Sequence, residues 1–368
     1  MEGIKKKAVL VYVGTEPEHI EFLEELSQLA IGADYEVVSY LIQQRQVPDF
    51  KFYIGKGKLK ELKEVAVATE CDVIIFDNTL SSMQFYNLEK YLRVEVMDRV
   101  NLIIEIFSRH ATSNEGKLQV ELMYKQKMLP RILGQGLVLS RQAGGGTGAG
   151  GARRGAGEQK LELDKRTIRR DIRNLEDRIN TLSKQRNIRR KRRTQNNVKT
   201  ITLVGYTNSG KSTLMNALTD ANVLEEDKPF ATLDPTTRKL FLGLDKNVIL
   251  TDTVGFISRL PHEFVKAFRS TLEEVRYSDL IIHVLDGNSY NVSKQYEVVL
   301  DVLKSLEVDD IPIITVVNKI DLGQNALFME DYDKFIPISA KHNINIDVLK
   351  SKINEVLFEN NSSITNSN

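Results

Sequence analysis

Short apolar runs alternate with amphipathic stretches over residues 1–112. Ala8-Val9-Leu10-Val11-Tyr12-Val13 is a continuous apolar run ended by Gly14, the pattern of a strand buried on both faces. In 17–30, Ile20, Leu23, Leu26 and Leu29 recur at helical spacing with glutamates between them. Further strands are expected over 35–42, 71–77 and 94–97, and helices over 58–69, 81–92 and 99–110. Strands alternating with helices predict a small parallel-sheet α/β domain.

The period then changes. Residues 113–133 place Leu118, Leu122, Leu129 and Ile132 on one helical face. Over 158–190, Leu161, Ile168, Ile172, Leu175, Ile179 and Leu182 follow at intervals of 7, 4, 3, 4 and 3. That is an a/d seam, and its nearest partner is the preceding helix, so 113–198 reads as an antiparallel helical hairpin. The two helices are separated by 141–157, with eight glycines between 144 and 157. A segment of glycine, alanine and polar residues cannot bury a core, and it is expected to be disordered when free. An inert linker is the plain reading. A two-helix turn needs only a few residues, however, and this one carries Arg141, Arg153 and Arg154. Glycine permits close approach and arginine meets phosphate bidentately, so an RNA-inserting loop is the favoured reading.

A third pattern starts at 199. The β-branched run Thr200-Ile201-Thr202-Leu203-Val204 enters Gly205-Tyr206-Thr207-Asn208-Ser209-Gly210-Lys211-Ser212, and Thr213-Leu214-Met215-Asn216-Ala217-Leu218 leaves it. Strand, glycine loop and helix in that order are the context of a phosphate-binding loop rather than a chance turn. The glycines let successive N–H groups face a phosphate, Lys211 can reach the β- and γ-oxygens, and the Ser212 hydroxyl can ligate Mg²⁺. Further boxes follow in the order of a Ras-like P-loop GTPase domain, over 199–358. Phe230-Ala231-Thr232-Leu233-Asp234-Pro235 occupies the place of a first switch. Thr232 is the preferred hydroxyl for Mg²⁺ and γ-phosphate, although Thr236 and Thr237 offer the same chemistry. Strand 248–250 delivers Asp252-Thr253-Val254-Gly255, where the carboxylate can hold the metal and the Gly255 N–H can meet the γ-phosphate. After strand 313–317, Asn318-Lys319-Ile320-Asp321 supplies a carboxylate for guanine N1 and N2 hydrogens, a donor pair adenine lacks. Ser339-Ala340-Lys341 then offers backbone to the guanine carbonyl. Lys211, Thr232 and Gly255 are the expected catalytic set, and Ser212 with Thr232 the metal ligands.

Two positions modify the chemistry. Phe256 stands where many GTPases carry a glutamine that orients the attacking water, so intrinsic hydrolysis is expected to be slow and completed by a partner. Asn208 is the loop position at which potassium-activated GTPases hold a monovalent cation, which adds K⁺ to Mg²⁺ as a cofactor to test.

Charge enters because it is uneven. The chain has 368 residues and net charge +1, yet 141–199 holds 18 Lys/Arg against 6 Asp/Glu, an excess of +12, leaving −11 elsewhere. Such a split points to a polyanionic partner. Arg186, Arg189, Arg190, Lys191, Arg192 and Arg193 end this segment, a run whose ordinary reading is a solvated face. Gly55-Lys56-Gly57-Lys58 could hold a phosphate but reads equally as a flexible turn with solvated lysines. The single cysteine, Cys71, forms no internal disulfide. No apolar stretch reaches the ~20 residues of a membrane span, nor does the N-terminus read as a signal peptide, so a soluble, cytoplasmic protein is expected.

The chain resembles the HflX family of ribosome-associated GTPases nearly throughout. The resemblance rests on Leu137-Val138-Leu139-Ser140-Arg141-Gln142, Gly205-Tyr206-Thr207-Asn208, Phe230-Ala231-Thr232-Leu233-Asp234-Pro235-Thr236 and Asp252-Thr253-Val254-Gly255-Phe256-Ile257. It implies binding to the large ribosomal subunit in the GTP state, with splitting or rescue of stalled or idle ribosomes. It also implies Thr232 as the Mg²⁺ ligand and a Gly/Arg loop near the peptidyl transferase centre. Longer members of the family carry a C-terminal extension. Here 359–368 is a polar tail, and that contact is expected to be absent. GTP/GDP and rRNA are the implied partners, and a monomer is expected. A tRNA-modification-type GTPase and an RNA-remodelling chaperone are the alternative functions.

Overall fold

The structure, a computed structural model, describes residues 5–15, 19–142, 151–195, 198–219, 230, 236–243, 246–259, 274–308, 310–323 and 332–359. The chain divides into two compact units, 1–109 with 117–179, and 110–116 with 180–368.

In the first unit β1 (Lys6–Gly14) is followed by α1 (His19–Gly32), β2 (Tyr35–Gln44), α2 (Lys56–Ala68), β3 (Val73–Phe76), α3 (Ser82–Leu92), β4 (Glu95–Asp98) and α4 (Arg99–His110). The strands form a parallel sheet in the order β2-β1-β3-β4, with Leu10 beside Ile75 and Val11 beside Phe76. Ala8 to Val13 are all buried, which is why β1 shows no polar alternation: helices cover both faces. Ser81 starts α3 with a reciprocal capping box to Gln84. Where β3 and β4 end, the buried Arg99 guanidinium pairs with Asp77 at 2.8 Å and Glu25 at 2.7 Å. Burial alone would lower its pKa, but the two carboxylates outweigh that and hold it charged.

Helices α5 (Asn114–Gln142) and α6 (Gly151–Gln195) follow. Lys125 pairs with Asp171 at 3.0 Å and Arg186 with Glu115 at 2.9 Å, so one number rises as the other falls, and the helices run antiparallel as predicted. Leu118 and Leu122 of α5 and Ile168 and Leu175 of α6 are buried. One expectation needs correcting. Of the stretch 141–157, expected to be disordered, 141–142 and 151–157 are helical, and 143–150 lies outside the described residues. Helix α5 runs through Pro130 to Gln142, and α6 already begins at Gly151. Extending a formed helix costs far less than starting one, so α6 propagates back through Gly155 and Gly157 despite their poor propensity. Arg141, Arg153 and Arg154 therefore sit on helix termini rather than in a loop.

The second unit contains β5 (Lys199–Gly205), α7 (Lys211–Thr219), β6 (Thr236–Phe241), β7 (Asn247–Asp252), β8 (Leu280–Asp286), α8 (Val292–Ser305), β9 (Ile313–Asn318), β10 (Ile336–Pro337) and α9 (Ile346–Asn354). The six strands lie in the order β10-β9-β8-β5-β7-β6, with β6 antiparallel to β7 and the rest parallel. Because the parallel strands share a direction, the carboxyl ends of β5, β7, β8, β9 and β10 meet along one edge. Ligands of open α/β sheets bind at such an edge.

Candidate functional site

The glycine loop grows out of the central strand β5 and enters α7. Side chains on Gly205 or Gly210 would collide with the Val284 carbonyl oxygen and the Asn318 amide, so both positions require glycine for close approach. Gly210 also has φ +88°, and Asn208 adopts the left-handed region at φ +60°, which asparagine tolerates better than most residues. The buried Lys211 ammonium donates to the Gly205 and Tyr206 carbonyls at 3.2 and 2.8 Å, which bends the loop around it. Burial pushes its pKa down to about 8, against the pull of Asp252; Lys319 lowers it further. An anion brought beside it would reverse that shift.

From β7, the fully buried Asp252 accepts from the Ser212 hydroxyl at 2.7 Å. A hydroxyl and a carboxylate oxygen side by side at a phosphate loop are the hard oxygen donors that suit Mg²⁺. The next residue, Thr253, spends its hydroxyl on the Leu203 carbonyl at 2.7 Å. Val254 and Phe256 are buried. The chain then zips onto the loop: Phe256 N–H donates to Gly205 O at 3.1 Å, and Thr207 N–H to Phe256 O at 2.7 Å. The Tyr206 hydroxyl accepts from Ser258 N–H at 2.6 Å. Gly255 lies so close that a Cβ there would stand 2.8 Å from Thr207 Cα.

The boxes at 318–321 and 339–341 are tied to the same loop. Asn318 donates from Nδ2 to Ser209 O and accepts at Oδ1 from Ala340 N–H, each at 2.9 Å. One side chain thus braces the glycine loop against the 339–341 turn. Lys319, at φ +63°, pairs with Asp286 at the end of β8 at 2.9 Å. The Asp321 carboxylate accepts from Ser339 Oγ at 2.6 Å, and that hydrogen bond, ahead of the nearby His342 and Lys341, holds its pKa below the usual carboxylate range. Ile320 N–H reaches Ile338 O at 3.4 Å.

The fold thus gathers 205–212, 252–255, 318–321 and 339–341 on one sheet edge. Phe230 is described and buried, with φ +58°. Ala231, Thr232, Leu233 and Asp234 lie outside the described residues, and so does any choice between Thr232 and its rivals. Asp286 belongs to this edge without any box of its own. The run 280–285, apolar apart from His283, followed by Asp286-Gly287-Asn288 is the strand-and-turn signal that marks it.

Beneath the loop, His283 on β8 is fully buried and stacks on Tyr296 of α8 with centroids 5.4 Å apart and planes 6° apart. Burial, aided by Lys211, pushes its pKa down to about 3. Its native imidazole therefore stays neutral where the unfolded one, titrating near 6.5, takes up a proton. Stability due to this residue is complete above pH ~6.5 and falls as the pH drops, by about 2–3 kcal/mol at pH ~4.5. Urea unfolding of a His283→Leu variant across that window should show a correspondingly shallower acid limb; an unchanged limb would refute the assignment.

Three family models match the chain in succession: "GTP-binding GTPase N-terminal" over 21–108, "GTP-binding GTPase Middle Region" over 110–193, and "50S ribosome-binding GTPase" over 200–319. GTPase HflX of Caldanaerobacter subterraneus subsp. tengcongensis is 47% identical over 355 residues, covering 96% of this chain and 81% of that one. GTPase HflX of Escherichia coli is 40% identical over 329 residues, 89% of this chain and 75% of that one. Among solved structures, SsGBP in complex with GDP superimposes with a TM-score of 0.54 at 29% identity, over 96% of this chain and 99% of that one. A second crystal structure, of a GTP-binding protein from Sulfolobus solfataricus with GDP, gives 0.51 at 27% identity. Identity near one half, sustained from the first sheet through the glycine loop, exceeds what a shared fold requires, and the chain belongs to the HflX family of GTPases.

Proposed function

We propose that this GTPase binds the large ribosomal subunit in its GTP state, splits or rescues stalled or idle ribosomes, and hydrolyses GTP faster when bound to the subunit. The observation that carries this reading is the +12 excess of 141–199, on the hairpin that leads directly into a GTPase unit. Ribosomal RNA is a polyanion that such a segment would grip through phosphate contacts. The description of the family model over 200–319 supports the same partner. Arg141, Arg153 and Arg154, at the facing ends of α5 and α6, are the proposed RNA contacts. In this reading 1–112, 113–198 and 199–358 act as an α/β domain, an RNA-gripping arm and the GTPase domain of a cytoplasmic monomer.

Within the site, the backbone of 205–210, Lys211 and Ser212 bind the phosphates, and Phe230, Ala231, Thr232, Leu233 and Asp234 are further proposed nucleotide contacts. Asn318 to Asp321 and Ser339 to Lys341 bind guanine. Ser212, with Asp252 behind it and Thr232 from the first switch, would hold Mg²⁺. When bound, the ion supplies charge neutralisation at the β- and γ-oxygens. Lys211 adds a donor to the same oxygens, and the Gly255 N–H meets the γ-phosphate. No side chain at 256 can orient the attacking water, because Phe256 is apolar and buried. Its burial supports slow intrinsic hydrolysis and a partner-completed site. Asn208 is the proposed K⁺ contact.

The test is GTP turnover with and without large subunits, in K⁺ and in Na⁺, together with cosedimentation in GDP and in a non-hydrolysable GTP analogue. Association in the analogue alone, with stimulated turnover, is expected. Equal association with both nucleotides would sink the switch, and equal rates in the two salts would remove K⁺.

A further inference from the structure

Residues 45–58 of the first unit carry chemistry that the nucleotide site does not use. Asp49 and Tyr53 exchange two backbone hydrogen bonds of 2.9 Å, closing a tight turn. The Asp49 carboxylate accepts from the Lys51 and Phe52 N–H groups at 2.8 and 2.9 Å. From α3, Gln84 donates to Asp49 O and Asn87 to Lys51 O, each at 3.0 Å. Phe52 packs edge-on against Tyr91 with centroids 5.9 Å apart. The turn is pinned from within and from below.

Despite this, its tip is apolar and open to solvent: Phe50 is 79% exposed and Val47 73%. The surroundings are basic. Lys51 is adjacent in the chain. The half-buried Arg45 donates to the Val47 carbonyl and reaches across to Gly55, where a Cβ would lie 2.9 Å from its guanidinium. Lys56 is exposed on the first turn of α2, a turn with no acidic residue. The neighbouring carboxylates are already engaged, Asp49 by the turn's own amides and Glu61 by Lys58 at 2.8 Å. A pinned turn loses little conformational entropy on docking, so the exposed ring is preorganised for contact. Two isolated apolar side chains among cations give a protein partner little area to bury. They match an unstacked nucleotide on both counts, a base for the ring and phosphates for the cations.

We propose that this turn is a docking surface for single-stranded RNA, with Phe50 stacking on an unpaired base and Arg45, Lys51 and Lys56 meeting the adjoining phosphates. That the RNA is ribosomal rests on the function proposed above; the contact itself does not.

The chain has no tryptophan, so a full-length Phe50→Trp variant carries a single indole, at the tip, that can be excited apart from the tyrosines. It is titrated with a uridine oligoribonucleotide and, as a charge-only control, with inorganic polyphosphate. Quenching by the oligonucleotide and not by polyphosphate is expected. Phe50→Ala should bind the oligonucleotide about tenfold more weakly, with GTP turnover in the absence of RNA unchanged. Lys51→Ala and Lys56→Ala should each flatten the salt dependence by about 0.7 in the log–log slope. Emission unquenched while anisotropy reports binding, or wild-type affinity in Phe50→Ala, overturns the proposal. Loss of large-subunit binding in Phe50→Ala without quenching assigns the turn to a protein and overturns it as well. If the wild-type chain ignores subunits while the oligonucleotide still quenches, the ribosomal function fails and this contact stands.

Discussion

Lys211→Ala lowers GTP turnover by about 10²–10³-fold, the loss that follows removal of one preorganised donor to charge developing in a dry site. The ammonium is buried and its two carbonyl acceptors fix where it points. Burial lowers its pKa to about 8 despite Asp252, so an anion placed beside it would favour the charged form. The loss therefore belongs to nucleotide binding and the transition state, not to the fold. Removing a charge that burial disfavours should leave the denaturant midpoint close to that of the wild type. Lys211→Arg should not rescue, since a planar guanidinium cannot replace a compact ammonium between the Gly205 and Tyr206 carbonyls. Single-turnover hydrolysis with saturating large subunits is the measurement. Wild-type turnover in Lys211→Ala would remove the loop from the chemistry.

The second large effect is a change of base preference. Asp321→Asn should weaken guanine nucleotide binding by about 10²–10³-fold, the value of two charge-assisted hydrogen bonds at ~1.5–3 kcal/mol each with partial compensation by water. The Ser339 hydroxyl and the lowered pKa keep the native carboxylate ionised, so it presents acceptors. An amide in its place turns an NH₂ toward the guanine amino group, donor against donor. Xanthine carries a carbonyl at that position, so xanthosine triphosphate should recover much of the lost affinity. Displacement of a fluorescent nucleotide by GTP and by xanthosine triphosphate distinguishes the two. A variant that still prefers GTP would show that Asp321 does not read the base.

The parts of this molecule that depend on neighbours along the chain were readable before any coordinates. The strand–loop–helix at 200–218 is one continuous stretch whose chemistry is local. So are the boxes at 252–255, 318–321 and 339–341, and the period change that separates the first sheet from the hairpin. Residues whose partners are far away in sequence carry no such local signal. Asn318 binds Ser209 across 109 positions and Ala340 across 22, and Tyr206 takes the Ser258 amide across 52. Lys319 finds Asp286 because β8 lies beside β9. None of these pairings has a period or a spacing to betray it, because each follows from strand order, which packing selects. The helices reaching into 141–157 are a related case: composition disfavours helix there, and propagation from the long flanking helices overrides it. Local backbone preference and hydrophobic period are written residue by residue, whereas a site assembled from five strand ends exists only once the sheet has closed around its core.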